Sequence, residues 1–317
     1  MKCAQQKKKL TGKERKIMKL KKLMTALLAT VMAFGTLGMA SCSVIEGLFN
    51  KDSSSDEAKA DLVKSIEVKL TEEEYAFVTK KDNTALVDDF NAFFTTFKSE
   101  GKFDALVAKY FEGEGTKVGY EVTTTDVANT DSNFVVVTNC PFEPFEYLGD
   151  DGKIYGLDIE IAAAYAEAKD LDLVIKNIGF DDIFTQVEAG YADIGMAGIT
   201  ASEDRKALYG FTQEYYEASQ KLIVAADCTD FDNCKTVEEV EAVLASLTGK
   251  KIGYQIGTTG GMYVNGDADW GYDGFANIEG KGYATAQDAV TDLVNGNIYA
   301  VVVDEAPANA LVKAVNN

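Results

Sequence analysis

Apolar positions along the chain alternate between short β-rich runs and longer segments with helical spacing. Residues 75–79 (YAFVT) are typical of a strand, and residues 84–98 carry apolar side chains at helical spacing, which indicates a helix. Gly101 ends that helix, and a second helix is predicted over residues 103–111. Residues 112–133 are rich in glycine, threonine and aspartate without a sustained period, so we interpret them as a linker or surface loop.

Beyond this linker the alternation of strands and helices becomes regular. Strands are predicted at residues 134–138, 171–176, near 193–197, and at 221–226, 251–255 and 298–303. Helices are predicted from Asp158, at 180–189, after the capping-box pair Thr236 and Glu239, from Thr285 to about Asn295, and at about 305–314. This order predicts an α/β fold with mainly parallel sheets covered by helices, and two such runs predict two lobes. Ligands of such sheets bind beyond the carboxyl ends of the strands.

The first forty residues have the pattern of a secretory signal. A basic segment precedes the apolar run LMTALLATVMAFGTLGMA, which is followed by Ser41 and Cys42. The residues before Cys42 resemble a bacterial lipoprotein cleavage box, in which the cysteine becomes the lipidated N-terminus. We therefore predict a lipoprotein signal peptide over residues 1–41, with Met18 as an alternative start, and a flexible tether over residues 42–64. An uncleaved membrane anchor is the alternative.

Composition narrows the classes of function. The 317 residues are 46% apolar and include no histidine, which excludes mechanisms that need an imidazole. The formal net charge is −20, and such an acidic protein is a poor candidate for nucleic-acid binding. The predicted signal segment holds ten cations and one acid, so the remainder has 21 Lys and Arg against 50 Asp and Glu, a net charge of −29. Of two arginines, Arg15 lies in the signal and Arg205 does not.

The cysteines leave two possibilities open. Cys228 and Cys234 lie six apart in the polar segment DCTDFDNC, where they either close a small disulfide loop or remain free thiols. Cys140 is expected to pack as a small apolar residue. Since the chain has no histidine, a zinc site built on cysteine is disfavoured, and we expect neither a metal nor a cofactor.

Four segments that follow predicted strands carry polar chemistry: TNCPFEPFEY (138–147), GMAGITASEDR (195–205), QIGTTGG (255–261) and VVVDEAP (301–307). Arg205 offers a planar fork that suits a carboxylate, although a single surface arginine is the alternative. Asp304 follows an apolar strand, where a carboxylate lies near a cleft or caps the next helix. Thr259 and its neighbouring amides lie at a predicted helix start, where anions bind. This glycine-rich turn matches neither a Walker loop nor a dinucleotide fingerprint.

Taken in order, these segments resemble the extracellular solute-binding proteins of polar amino-acid ABC transporters (solute-binding family 3), which have the type II periplasmic-binding-protein fold. The resemblance runs through PFEPFEYLGDDGKIYGLDIEIAAAYA and FDDIFTQVEAGYADIGMAGITASEDRKALYGFTQEYYEASQKLIV. It continues in LTGKKIGYQIGTTG and DAVTDLVNGNIYAVVVDEAPANAL. The block from Gly198 to Tyr216 is specific to the family. The resemblance implies a two-lobed α/β protein.

The order of the blocks departs from the family in one respect. Residues 65–111 resemble the carboxyl-terminal end of the family, which in its members follows the VVVDE block. We therefore predict a circular permutation in which the linker joins the former ends. Lobe 1 is then expected over 73–217 and lobe 2 over 65–72 plus 218–317, with hinge crossings near 70–75 and 216–221. A truncated chain with an unrelated leading domain is the alternative.

The resemblance implies how the backbone part of an amino acid is held. Arg205 would pair with the ligand α-carboxylate, assisted by the backbone of Gly198, by the amide and hydroxyl of Thr200, and by Thr259 from the other lobe. Asp304 would accept the α-ammonium. With these partners a zwitterion loses its water without leaving an unpaired charge.

The resemblance also implies contacts to the ligand side chain. Phe142 and Phe180 would sandwich it, and Asn139 lies where the family often touches it. The neutral amide of Asn139 favours a polar or uncharged ligand over a basic one.

These features predict a monomeric, lipid-anchored protein on the extracellular face of the cytoplasmic membrane, or on its periplasmic side. It would capture a free amino acid between two lobes and deliver it to an ABC permease, with lobe closure as the output. It would not be an enzyme. One alternative is an enzyme of the same fold that resembles cyclohexadienyl dehydratases, and another is a ligand-sensing input module.

Overall fold

The computed structural model describes residues 60–124 and 127–317. The predicted signal peptide, the predicted lipidation site Cys42 and most of the predicted tether lie outside these residues. Among the residues described, no helix is both long enough and apolar enough to cross a membrane.

Strands and helices alternate through the described chain. The strands are β1 (Val63–Ser65), β2 (Glu73–Tyr75), β3 (Val78–Thr79), β4 (Asn133–Thr138), β5 (Tyr147–Leu148), β6 (Ile154–Tyr155), β7 (Asp172–Asn177), β8 (Ile194–Gly195), β9 (Gly210–Phe211), β10 (Tyr216–Ala218), β11 (Gln220–Ala225), β12 (Lys250–Gln255), β13 (Ile278–Tyr283) and β14 (Ala300–Asp304). The helices are α1 (Thr84–Ser99), α2 (Lys102–Val107), α3 (Leu157–Lys169), α4 (Phe180–Glu188), α5 (Glu203–Leu208), α6 (Val237–Ser246), α7 (Thr259–Asn265), α8 (Ala286–Val294) and α9 (Glu305–Asn316). A π-helical turn, Ala108–Glu112, extends α2.

Two five-stranded sheets organise these elements into two lobes. The sheet of lobe 1 has the order β7-β4-β8-β3-β9, and the sheet of lobe 2 has the order β1-β11-β14-β12-β13. In each sheet two neighbouring pairs are parallel and two are antiparallel. The prediction of mainly parallel sheets is therefore wrong. The difference lies in β3 and β11, each of which pairs antiparallel with both of its neighbours.

A short ribbon connects the lobes. Strand β2 pairs antiparallel with β10, so that Tyr75 lies opposite Tyr216. The chain enters lobe 1 through β2 and returns to lobe 2 through β10. The strand predicted over 75–79 is interrupted, since Tyr75 belongs to the ribbon whereas Val78 belongs to the sheet of lobe 1.

The segment before the ribbon begins earlier than predicted. Val63 and Lys64 pair with Ala225 and Val224 in lobe 2, so the predicted tether does not extend to residue 64. Regular strand pairing with β11 ends at Ser65. Residues 66–70 remain beside β11 but are joined to it only by isolated backbone hydrogen bonds. The part of lobe 2 that precedes the ribbon therefore begins at about Val63 and not at residue 65, as was predicted, and its regular strand covers only Val63–Ser65.

Each lobe has its own apolar core. In lobe 1, α1 places Phe90 and Phe94, both fully buried, beside Phe77 and Tyr165. In lobe 2, side chains alternate between two cores on opposite faces of the sheet. Leu222 and Val224 point to one face, and Ile223 points to the other.

The structure contains free thiols at Cys140, Cys228 and Cys234. Of the two alternatives left open for Cys228 and Cys234, the structure therefore has the two free thiols and not the disulfide. Both residues belong to the same lobe 2 core, where Cys234 is buried and the sulfur of the partly buried Cys228 lies 3.7 Å from the Tyr299 hydroxyl. Cys140 is buried among apolar residues, as predicted.

A buried carboxyl group, Asp158, ties the start of α3 to two neighbouring segments of lobe 1. It accepts a hydrogen bond of 3.2 Å from the Gly198 amide and one of 2.7 Å from the Tyr215 hydroxyl. Burial raises the pKa of Asp158 to about 7, and these two hydrogen bonds only partly oppose the rise. The folded protein therefore holds a proton on Asp158 in a pH range where the unfolded chain does not.

This proton predicts a pH dependence of stability. A carboxyl group whose pKa is raised in the folded state stabilises most below its unfolded pKa, and that contribution is lost as pH rises through about 7. The free energy of unfolding is expected to fall between about pH 4 and pH 7 and to fall less steeply in Asp158→Asn. Urea unfolding at several pH values measures both slopes.

The exposed residue Asp150 supplies the matched control for this experiment. Asp150→Asn is expected to keep the pH dependence of the unaltered protein. Identical slopes for Asp158→Asn and the unaltered protein would contradict the assignment.

Candidate functional site

A cleft between the lobes contains all eight residues that were predicted to contact a ligand. They are Asn139, Phe142, Phe180, Gly198, Thr200, Arg205, Thr259 and Asp304. Glu146, Ala197, Gln255 and Thr258 complete the lining.

Strand ends position most of these residues. Asn139 directly follows β4, Thr259 begins α7 after β12, and Asp304 is the last residue of β14. These three strands take part in the parallel pairings of the two sheets, so their carboxyl ends meet at the cleft.

Arg205 is buried and contacts both lobes. Its Nη1 donates to the Thr200 carbonyl at 3.0 Å, and its Nη2 donates to the Gly257 carbonyl at 3.0 Å. Burial lowers the pKa of Arg205 to about 10, and the charges of Glu73 and Asp304 oppose this decrease. The guanidinium therefore remains cationic at neutral pH and lies among acidic groups.

Thr200 and Thr259 meet across the cleft. Their hydroxyl oxygens lie 3.2 Å apart, and the Thr200 hydroxyl also lies 2.6 Å from a Glu73 carboxylate oxygen. Glu73, which the sequence analysis did not select, also accepts hydrogen bonds from Thr71 and Gln220. It is a buried acid that joins the ribbon to both lobes.

Asp304 occupies the N-cap position of α9 but makes no side-chain cap to that helix. Its carboxylate instead accepts a 2.5 Å hydrogen bond from the Tyr75 hydroxyl. Burial and then the nearby charge of Glu73 raise the pKa of Asp304 to about 7, whereas hydrogen bonds from Tyr75 and Gln220 lower it. Of the two roles considered for Asp304, the structure favours a carboxylate directed to the cleft.

Gly198 differs from its predicted contribution. Its backbone was expected to help hold a carboxylate, but its N–H donates to Asp158. Gly198 has a φ of +54°, and a Cβ there would lie 2.4 Å from the Phe142 ring, so this loop position favours glycine. What the Gly198 backbone can offer a ligand is its carbonyl oxygen, which suits a cation.

Asn139 uses both ends of its side-chain amide within the protein. Its Nδ2 donates to the Ile178 carbonyl at 2.6 Å, and its Oδ1 accepts from Gln255 Nε2 of lobe 2 at 2.6 Å. This pair is a direct tie between the lobes. The amide therefore carries little information on the ligand side chain.

Glu146 is the most informative residue that the sequence analysis missed. It is fully buried, and no partner within the described chain bonds to either of its carboxylate oxygens. Burial, and to a lesser degree Asp158, hold the pKa of Glu146 well above its ordinary value. A partial sequence signal was present, since Glu146 lies between two aromatic residues in the segment PFEPFEY, but Glu143 in the same segment is exposed, so the sequence did not distinguish the two glutamates.

The described residues contain no group of three or more acidic or cysteine side chains arranged to hold a metal ion. The cleft's functional groups are instead one cation, two buried acids, three threonines, two side-chain amides and two aromatic rings. Such a set can bind a small molecule that carries both charge signs.

Comparisons with known proteins show the family to which the chain belongs. Residues 134–315 match the family model of the bacterial extracellular solute-binding proteins, family 3. The ABC transporter arginine-binding protein 1 of Escherichia coli (strain K12) is 30% identical over 181 residues, which cover 57% of this chain and 66% of that protein. A probable histidine-binding protein of Neisseria gonorrhoeae is 31% identical over 118 residues, covering 37% and 44% of the two chains.

A solved structure of an ancestral arginine-binding protein bound to arginine aligns with a TM-score of 0.51 and 31% identity. The alignment covers 60% of this chain and 77% of that chain. The matches to the two curated relatives span less than two thirds of their lengths. The family model nevertheless covers more than half of this chain, and the protein therefore belongs to the bacterial extracellular solute-binding proteins of family 3.

Proposed function

We propose that this protein captures a free α-amino acid between its two lobes and presents it to an ABC importer. The observation that carries the proposal is the buried Arg205, which shares a closed cleft with the buried carboxylate of Asp304. An amino acid has complementary charges at one end of the molecule. Its α-carboxylate suits the guanidinium fork, and its α-ammonium suits Asp304.

Binding would stabilise the closed arrangement because the ligand would contact both lobes. Arg205 and Thr200 belong to lobe 1, whereas Thr259 and Asp304 belong to lobe 2. A ligand that touches all four has contacts in the closed form that it lacks in an open one, so it shifts the population towards closure. Lobe closure would then be the signal that the importer recognises.

The ligand side chain is proposed to be cationic. Glu146 lines the cleft and is buried without a hydrogen-bond partner among the described residues. A guanidinium or ammonium group would supply that partner and favour the ionised carboxylate. The relatives named for arginine and histidine are consistent with this class. The expectation of a polar or uncharged ligand depended on Asn139, whose amide is already paired with Gln255.

The same acids disfavour the enzymatic alternative. A prephenate-like diacid would place a second carboxylate near Asp304 or Glu146, both of which are buried. Like charges at short distance in a buried site are strongly unfavourable.

Glu146 gives a test of ligand class. We expect the purified protein to bind L-arginine and L-lysine more tightly than L-glutamine, because only the first two pair with Glu146. Glu146→Gln is expected to weaken binding of the cationic amino acids by at least about tenfold while changing L-glutamine affinity by less than about threefold. Calorimetric titration of each amino acid measures these affinities.

The exposed residue Glu143 lies in the same loop, and Glu143→Gln is the matched control. It is expected to leave all affinities unchanged. Equal losses for cationic and neutral ligands in Glu146→Gln would rule out the ligand class. Failure of every common amino acid to bind would rule out the function.

The proposed location is the outer face of the cytoplasmic membrane. The signal over residues 1–41 and lipid attachment at Cys42 would tether a monomer there, either on the extracellular or on the periplasmic side. Two acyl chains on one cysteine supply the two anchors that stable membrane attachment requires.

We propose that the chain order is circularly permuted. The lobes then have the bounds predicted from the sequence, except that lobe 2 begins at about Val63. In support, Asn316 near the end of α9 bonds to both backbone groups of Val63 and to the amide of Leu62. Residues that precede the family match complete both sheets, since β1 forms an edge of the lobe 2 sheet and β3 lies inside the lobe 1 sheet.

A rearranged chain tests the permutation. The variant begins near residue 127, runs to Asn317, continues through a short glycine–serine linker to residue 61, and ends at Glu112. Because Asn316 already contacts Leu62, the new join spans a small distance, and we expect an L-arginine affinity within about threefold of the original.

A chain of residues 127–317 alone is the comparison for this experiment. It lacks β3 and the aromatic residues of α1, so it is expected to unfold. A rearranged chain that cannot fold would contradict the permutation, as would a residue 127–317 chain that folds and binds normally.

A further inference from the structure

We propose that Trp270 is a positioning residue for the closed cleft, which holds Arg205 from the opposite lobe and so slows release of the bound amino acid. The inference rests on the proposed amino-acid binding and extends it to a residue that does not line the cleft.

Three aromatic rings surround the Arg205 guanidinium. Its central carbon lies 4.9 Å from the Phe184 ring centroid, 5.0 Å from that of Trp270 and 5.7 Å from that of Phe180. These distances lie within the range of attractive cation–π contacts, and tryptophan is the strongest partner of the three ring types. The rings restrict the guanidinium plane and therefore the direction of its donors.

The three rings belong to different lobes. Phe180 and Phe184 lie on α4 of lobe 1 and move together with Arg205, whereas Trp270 lies on a lobe 2 turn after α7. When the lobes separate, Arg205 keeps the two phenylalanines and loses Trp270. The Trp270 contact is thus specific to the closed form.

A tight turn presents Trp270 to the other lobe. Asp267 and Tyr272 exchange backbone hydrogen bonds of 2.8 and 2.9 Å, and the Trp270 amide donates to the Asp267 carbonyl at 3.2 Å. Gly274 closes the base of the turn with a φ of +66°, where a Cβ would lie 2.3 Å from the Gly266 nitrogen. The backbone that carries Trp270 is therefore conformationally constrained, as is required of a residue that holds Arg205 in position.

Trp270 lies beside the cleft and not within it. It lines a neighbouring groove with Glu73, Glu203 and Asp204, next to the side chains that line the cleft. It would therefore act on the ligand only through Arg205, which every amino acid uses in the same way. Its effect is expected to be equal for ligands with different side chains, unlike that of Glu146.

The kinetic consequence concerns release more than capture. An amino acid first meets an open cleft, where Trp270 is away from Arg205, so the association rate is expected to change little. Dissociation requires the lobes to separate and the Trp270 contact to break. Interactions present only in the bound, closed state appear mainly in the dissociation rate.

Release of radiolabelled L-arginine into excess unlabelled ligand tests the proposal. In Trp270→Ala we expect release about tenfold faster, equivalent to about 1.4 kcal/mol, with an association rate within about threefold of the original. L-lysine should show the same factor. Trp270→Phe should restore most of the slow release, because it keeps an aromatic face. Asp269→Ala, an exposed position on the same turn, should release at the original rate.

Trp270 also provides a spectroscopic signature, since it is the only tryptophan in the chain. Saturating L-arginine is expected to lower its accessibility to acrylamide, and unchanged accessibility would contradict a contact specific to closure. Release from Trp270→Ala within twofold of the original rate would overturn the inference, as would faster release of one ligand only. If no amino acid binds to the unaltered protein, the proposed function fails, and the inference fails with it.

Discussion

The arrangement of this protein depends on one buried arginine in a cleft whose other charged side chains are acidic. Arg205 carries the only guanidinium outside the predicted signal, and its surroundings include the buried carboxyl groups of Glu73, Asp304 and Glu146. Removing such charges from water costs several kcal/mol for each ion unless partners compensate. The raised pKa values of Asp304 and Glu146 record part of that cost. A ligand with one carboxylate and two cationic groups would supply the missing partners.

The need to pair buried polar and charged groups also explains how the two lobes are held together. The direct ties across the cleft are polar: Asn139 to Gln255, Thr200 to Thr259, and Arg205 to the Gly257 carbonyl. The buried residues of each apolar core come mainly from one lobe, although Ala306 of α9 packs against the main core of lobe 1. When the lobes separate, these polar groups can form hydrogen bonds to water instead. Opening the cleft therefore requires less free energy than unfolding the protein. Closure can therefore respond to a small molecule that strengthens the same contacts.

Much of the site was predictable because strand ends are visible in sequence. Apolar runs that end in Asn139 or Asp304 mark the carboxyl edges of strands, and Arg205 stands out as the single arginine after the signal. The sequence pattern predicted less about residues whose role depends on tertiary contacts. Gly198 gives its amide to Asp158, and Trp270 reaches Arg205 from another lobe; neither fact has a local signal. The antiparallel pairings of β3 and β11 escaped prediction because periodicity indicates a strand but not its direction.

The most direct test of the central claim compares L-arginine with agmatine, the amine that remains when the α-carboxylate is removed. In the proposed complex both compounds would place a guanidinium near Glu146, but only L-arginine would offer a carboxylate to Arg205. Removing one partner of a buried charge pair commonly costs 2–5 kcal/mol or more. Calorimetric titration is predicted to show agmatine binding at least about a hundredfold more weakly than L-arginine. Comparable affinities for the two compounds would contradict the account.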